Sequence, residues 1–375
     1  MYYISIDNDY HFELALRIVE SAHIDVSKVT FISQTNLRNK KLLESCYVRV
    51  DIEGHPLSSG AGYKNPLVQL KSLVHHQQLK KKFNVGCDDI LILLTEYQIN
   101  NALLARQFFV SGGKVYLFDD GVSFYINNSR NIFQSVRTVD KIYLFIYNTI
   151  YSTLNIPAIA KQGFEGRMHV TIKDNYIHRL YSRLRMSLDR KIETIGFKFT
   201  DEIENSTYQP TTAALFLANN LSTFDLKDEE MHLAAMAIGQ LARKFNMVYV
   251  KIHPADWVGK TDIYSFYNKL TESHTNVKLV SNDRTSNQLL KGINPSLVVG
   301  TLGAGMFDAL FMGYPAIFLF HLLSRPVKFK VFAAACEGLL ARVGYHFIES
   351  LDQIAPSYTT RVNLDEVTFK AGLLL

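Results

Sequence analysis

Short apolar runs alternate with helix-length periodic segments along this chain, and they do so in two separate series. In the first, Tyr2–Asp7 and Val29–Gln34 are strand-like, while Tyr10–Ala22 has helical spacing. Pro66–Phe83 follows as a helix, with Pro66 in its first turn, where proline's missing N–H costs nothing. Ile90–Leu94 is continuously apolar between Asp89 and Thr95, the signature of a strand covered on both faces. Tyr97–Val110 is the next helix, stopped by Ser111-Gly112-Gly113, and Lys114–Phe118 is the strand that follows. The second series runs Ala214–Ala218 (strand), Asp228–Phe245 (helix), Met247–Ile252 (strand), Ile263–Glu272 (helix) and Val277–Val280 (strand). It continues with Ser286–Gly292 (helix), Leu297–Gly300 (strand), Gly303–Met312 (helix), Pro315–Phe320 (strand) and Val327–Arg342 (helix). Such alternation predicts parallel sheets with helices on both faces. Two series predict two doubly wound, Rossmann-like α/β domains facing a cleft: residues 1–195, a linker 196–212 containing Pro210, and residues 213–345. A C-terminal segment, 346–375, is expected to pack back on the first domain.

The bulk numbers fit that reading. A chain of 375 residues suits two cores, and 47% apolar with 20% charged residues is a globular balance. Net charge is only +5, and no basic–aromatic interleaving marks a nucleic-acid module, so nucleic acid is not an expected partner. Cys46, Cys87 and Cys336 are far apart, with no CxxC or Cys/His spacing, so neither a disulfide framework nor a structural zinc is expected. The N-terminal MYYISIDNDYHFEL reads as a first strand and not a signal peptide, and no window approaches ~18 uncharged apolar residues, so a cytoplasmic location is expected. The segment Arg179–Lys191 reads as a basic helix with Leu180, Leu184 and Leu188 on one face. It could rest on an anionic membrane surface at the inner face of the cytoplasmic membrane, or be a solvated helix between domains.

Ligands of doubly wound sheets sit at the carboxyl ends of the strands, and chemically capable residues fall there three times. After Lys114–Phe118 come Asp119, Asp120 and Gly121. Adjacent side chains leave a strand in opposite directions, so one carboxylate can face a ligand as a general base while the other ties the loop down. Gly121 permits the sharp turn, and an ordinary surface turn is the bland alternative. After Met247–Ile252 come His253 and Pro254, with Lys251 directed to the same sheet edge; an imidazole there can bind or protonate a leaving phosphate. After Leu297–Gly300 come Thr301, Gly303 and Gly305, opening a helix whose free N–H groups suit an anion. That loop lacks the Walker lysine and is not GxGxxG with an acidic ribose partner, and no acidic triad for a divalent metal lies near it.

The order acidic-acidic-Gly, His-Pro and a small hydroxyl-bearing loop, over roughly residues 115 to 320, resembles the bacterial sialyltransferases of the GT-B fold, among them the lipooligosaccharide sialyltransferases and capsule polysialyltransferases. The resemblance implies an inverting, metal-independent glycosyltransferase without a cofactor. Its donor would be CMP-sialic acid and its acceptor a cell-surface glycan such as lipooligosaccharide, O-antigen or capsule. It implies Asp120, in preference to Asp119, as base, and His253 at the departing CMP phosphate. By the same analogy Asn219, Asn220 and Ser222 contact the donor phosphate or sugar, and Ser286 and Asn287 the ribose or cytosine, or else simply cap a helix. The chain departs from the family pattern in one place: Thr301 is followed by Leu302, where two hydroxyl residues are usual. Three other readings stay open: a CMP-Kdo-dependent Kdo transferase, a polyol-phosphate transferase, and a non-catalytic GT-B glycan binder or scaffold.

Overall fold

The computed structural model describes residues 1–34, 47–54, 66–95, 98–119, 159–161, 168–170, 172, 174–183, 192, 194–197, 199, 211–219, 224–257, 261–281 and 283–359. The chain divides into two units, and the main crossing falls between Thr200 and Asp201.

The first unit opens with β1 (Tyr2–Ile6) and α1 (Asp9–Ser21), then β2 (Val29–Ser33) and β3 (Val48–Asp51). It continues with α2 (Pro66–Lys82), β4 (Ile90–Leu93), α3 (Ile99–Val110) and β5 (Lys114–Phe118). A small antiparallel pair, β6 (Ile159–Lys161) and β7 (Met168–Val170), precedes β8 (Arg179–Ser182) and β9 (Thr194–Gly196). The main sheet is parallel throughout, in the order β3-β2-β1-β4-β5-β8-β9. Strand order therefore reverses between β1 and β4, and this gap is the topological switch point. Asn8 starts α1 by accepting the His11 N–H at 2.9 Å, the side-chain cap that a helix start requires. One face of the sheet packs on α1 through Ile4, Ile6, Leu14, Ile18, Phe31 and Ile92, joined by an aromatic group of Phe118, Tyr181, Phe197 and Phe199.

The second unit carries β10 (Ala213–Leu217), α4 (Lys227–Lys244), β11 (Met247–Lys251), α5 (Pro254–Trp257), α6 (Thr261–Glu272) and β12 (Val277–Leu279). Then come α7 (Ser286–Ile293), β13 (Leu297–Gly300), α8 (Ala304–Phe311), β14 (Ala316–Phe318) and α9 (Val327–Arg342). Its sheet is again all parallel, in the order β12-β11-β10-β13-β14, with the reversal between β10 and β13. Both sheets thus contain the same five-strand doubly wound arrangement. The α/β class and the two parallel sheets expected from the alternation are those observed.

Three local expectations differ from the structure. Arg179–Ser182 is a buried strand and not the start of an amphipathic helix, since Leu180 and Tyr181 are fully buried and Arg183 is 3% exposed. Leu180, Tyr181 and Ser182 are buried in succession, as in a strand covered on both faces. Arg183 is therefore unavailable to a lipid surface, and 184–191 lie outside the described residues. Second, the first unit's core reaches past residue 195, because Phe197 and Phe199 are buried in it. Third, residues 346–359 of the C-terminal segment pack on the second unit, Lys244 Nζ donating to the carbonyls of Asp352 (2.8 Å) and Ile354 (2.6 Å) on α4's flank, while 360–375 lie outside the described residues. Among the described residues no helix is long and apolar enough to cross a membrane.

Candidate functional site

At the carboxyl edge of the first sheet, the Asp119 N–H extends the β5–β8 ladder by donating to Tyr181 O at 3.0 Å. Its side chain is fully buried. Oδ1 accepts Arg183 Nε at 2.9 Å, and Oδ2 accepts the Arg183 backbone N–H at 2.6 Å. The Arg183 guanidinium carbon stands 5.9 Å from the Phe199 ring centroid, and the Arg17 guanidinium carbon 4.0 Å from the same ring. Backbone and side chain of Asp119 are thus both bonded to the end of β8. Asp120 and Gly121 lie outside the described residues.

The switch point between β1 and β4 holds polar residues that the sequence reading did not single out. Gln34 Nε2 donates to Ser5 Oγ at 2.7 Å, Ser5 Oγ donates to Asn101 Oδ1 at 2.7 Å, and Asn101 Nδ2 donates to Thr95 O at 2.7 Å. Beside them His75 Nε2 meets Asn100 Oδ1 at 2.8 Å, and Asp7 Oδ2 lies 3.7 Å from His11 Nδ1. A serine inside YYISI and the Asn100-Asn101 pair opening an otherwise apolar helix were the available signals. Buried polar groups need partners, and Ser5, Gln34 and Asn101, like His75 and Asn100, supply them to one another.

In the second unit the expected donor residues gather at the ends of β10, β11 and β13. Asn219 follows β10, and Thr301 follows β13, on either side of the switch point. Glu230, on α4 and 5% exposed, spans the two. Its Oε1 accepts the Asn219 N–H at 3.0 Å and Thr301 Oγ1 at 2.8 Å. Thr301 is fully buried, so the hydroxyl proton expected for a phosphate goes to Glu230 instead. The dipole of α4 favours the acids of its first turn, and burial gives Glu230 a second task. Burial, with the Glu230 and Asp256 carboxylates nearby, pushes the Tyr267 hydroxyl well above its usual range.

The first turns of α7 and α8 meet. A Cβ on Gly305 would stand 2.5 Å from Ser286 Oγ, so only glycine allows this approach. Gly303 caps α8 at φ +139°, a conformation closed to other residues. The first N–H groups of a helix have no partner within it and point outward with the positive dipole end. The cap of α7 is Thr285, which forms a capping box with Gln288, so Ser286 and Asn287 are not caps. Asn287 is 1% exposed, and its Oδ1 has no hydrogen-bond partner among the described residues. Lys251, also buried, donates from Nζ to Arg284 O at 2.8 Å just ahead of α7. His253 is partly exposed; its carbonyl accepts the Asp256 N–H at 2.9 Å, and Pro254 opens α5 beside it. Asn220 and Ser222 lie outside the described residues. Among the described residues no group of three His, Cys, Asp or Glu side chains is placed to hold a metal ion.

No protein-family model and no curated protein sequence matches the chain. Solved structures do share its layout. A spinosyn forosaminyltransferase is 13% identical, covering 96% of this chain and 87% of that one, with a TM-score of 0.48. The UDP-GlcNAc 2-epimerase of Methanocaldococcus jannaschii is 12% identical, covering 97% and 95%, with a TM-score of 0.48. MurG of Acinetobacter baumannii is 11% identical, covering 95% and 87%, with a TM-score of 0.45. At these values the fold assignment rests on the two sheet orders themselves.

Proposed function

We propose that this chain is an inverting, metal-independent glycosyltransferase of the GT-B kind, moving sialic acid from CMP-sialic acid to a hydroxyl of a cell-surface glycan in the cytoplasm. One observation carries the reading: each of two doubly wound sheets presents reactive residues at the carboxyl ends of its strands. The acidic Asp119-Asp120-Gly121 sequence follows β5 in one, and His253-Pro254 follows β11 in the other.

In this mechanism Asp120 takes the proton of the acceptor hydroxyl. Asp119 is the weaker candidate, because both of its carboxylate oxygens are held by Arg183. The acceptor oxygen attacks the anomeric carbon as the bond to the CMP phosphate oxygen breaks, inverting that carbon. His253 as imidazolium gives a proton to the departing phosphate or neutralises it. The amides opening α8 around Gly303 and Gly305 take its remaining charge, in the manner of helix N-termini. Asn219, Asn220, Ser222 and Ser286 surround the donor, Asn287 offers an acceptor to its ribose or base, and Lys251 holds the Arg284 carbonyl that leads into α7.

The test is nucleotide release. The protein is incubated with CMP-sialic acid, CMP-Kdo or UDP-GlcNAc and with galactose- or sialic-acid-terminated glycans. Release of CMP from CMP-sialic acid, dependent on glycan, is the expected result. Release from CMP-Kdo alone would reassign the donor, and no release from any donor would remove the transferase reading.

A further inference from the structure

We infer that Arg183 is a positioning residue for the acidic loop after β5, and that Asp119 is that loop's anchor and not its proton acceptor. The inference rests on the preceding reading that this loop carries the base.

Three observations support it. First, Asp119 is fully buried and Arg183 nearly so, and one residue engages both carboxylate oxygens through a side-chain and a main-chain N–H. A substrate hydroxyl could reach Asp119 only by breaking a buried ion pair, and breaking such a pair leaves an uncompensated charge in the interior. Second, the Asp119 N–H is bound to Tyr181 O, so backbone and side chain are both tied to the end of β8. Third, Arg183 is itself held: it lies near the Phe199 ring, which Arg17 also covers. Phe199 is buried in the first unit's core, so one guanidinium ties the exit of β5 to that core. Planar geometry matters here, because a lysine keeps the charge and the backbone N–H but loses the Nε–H that meets Asp119 while the guanidinium lies by a ring.

The experiment compares wild type with R183K, D119N and the neutral pair D119N/R183Q, by hydrogen exchange read on peptides and by nucleotide-release kinetics. For R183K, exchange across 119–126 should rise at least tenfold, while peptides of β10 in the second unit stay unchanged. Its kcat should fall at least tenfold, with donor KM within twofold and the acid limb of the pH–rate profile unmoved. D119N/R183Q should be more active than D119N alone. Wild-type exchange and kcat in R183K would overturn the inference. So would a D119N protein with wild-type exchange but no acid limb, which would make Asp119 the proton acceptor. Should D119N not fold, R183K carries the same readouts. If wild type releases nucleotide from no donor, the transferase reading fails, and the exchange measurement still decides whether Arg183 anchors this loop.

Discussion

Replacing Glu230 separates a structural carboxylate from a ligand-binding one. Its Oε1 accepts two hydrogen bonds, from Asn219 N–H and Thr301 Oγ1, and joins the ends of β10 and β13. In E230A Thr301 loses its acceptor in a buried place and Asn219 in a part-buried one, at about 1–3 kcal/mol each. The total is then about 2–6 kcal/mol, and at about 2–4 °C per kcal/mol the midpoint should fall by roughly 4–24 °C. E230Q keeps an oxygen in the same place and loses only charge assistance, about 1–2 kcal/mol in all, or roughly 2–8 °C. Thermal unfolding followed by circular dichroism reads both. T301V completes a cycle: paired with E230Q it should show a coupling of at least about 0.5 kcal/mol, with donor KM within twofold of wild type. E230A no less stable than E230Q would refute the reasoning. A T301V protein with wild-type stability and a tenfold higher donor KM would return Thr301 to the phosphate.

Further consequences follow from other parts of the molecule. Gly300 is the last residue of β13, and a Cβ there would stand 2.5 Å from Leu217 O on the neighbouring strand and 2.7 Å from Met306 Sδ. G300A should cost about 3 kcal/mol by overpacking, read as a shift in the denaturant midpoint; a silent substitution would contradict the geometry. Burial holds the His321 imidazole below its ordinary range, with Nε2 bonded to Ile348 O, and burial together with neighbouring cations does the same for His76. A folded-state value below the unfolded 6.5 means the unfolded chain binds more protons in that window. Stability is therefore full above about pH 6.5 and is lost as pH falls below it, and H321Q should flatten that fall. Cys87 is exposed while Cys336 is buried, its thiol pushed well up by burial. A thiol reagent mapped by peptide should modify Cys87 in the native protein and Cys336 only after unfolding.

Much of this architecture was legible because strands covered on both faces are written as continuous apolar runs. Lys114–Phe118, Leu297–Gly300 and Val327–Arg342 have the bounds expected, and most other elements shift by one or two residues at an end. Strands that break the apolar rule were missed. Val48–Asp51 is short and largely uncovered, and Arg179–Ser182 carries an arginine whose spacing with later leucines imitates a helix. The strand Thr194–Gly196 was missed, and Phe197 and Phe199 fell inside the stretch read as linker, because pairing with β8 and the first unit's core holds them and local pattern does not. The site divides in the same way. Which strand ends hold the candidate residues follows from sequence order plus the switch-point rule. Which partner each side chain takes is a long-range matter: Asp119 meets Arg183, and Thr301 meets Glu230, across separations no local window spans.

Nucleotide release by wild type, D120N and H253A tests the central claim most directly. With CMP-sialic acid and a glycan acceptor, wild type should release CMP, and each variant should be slower by about a hundredfold or more while keeping its unfolding midpoint. Folded variants that release CMP as fast as wild type would contradict the account.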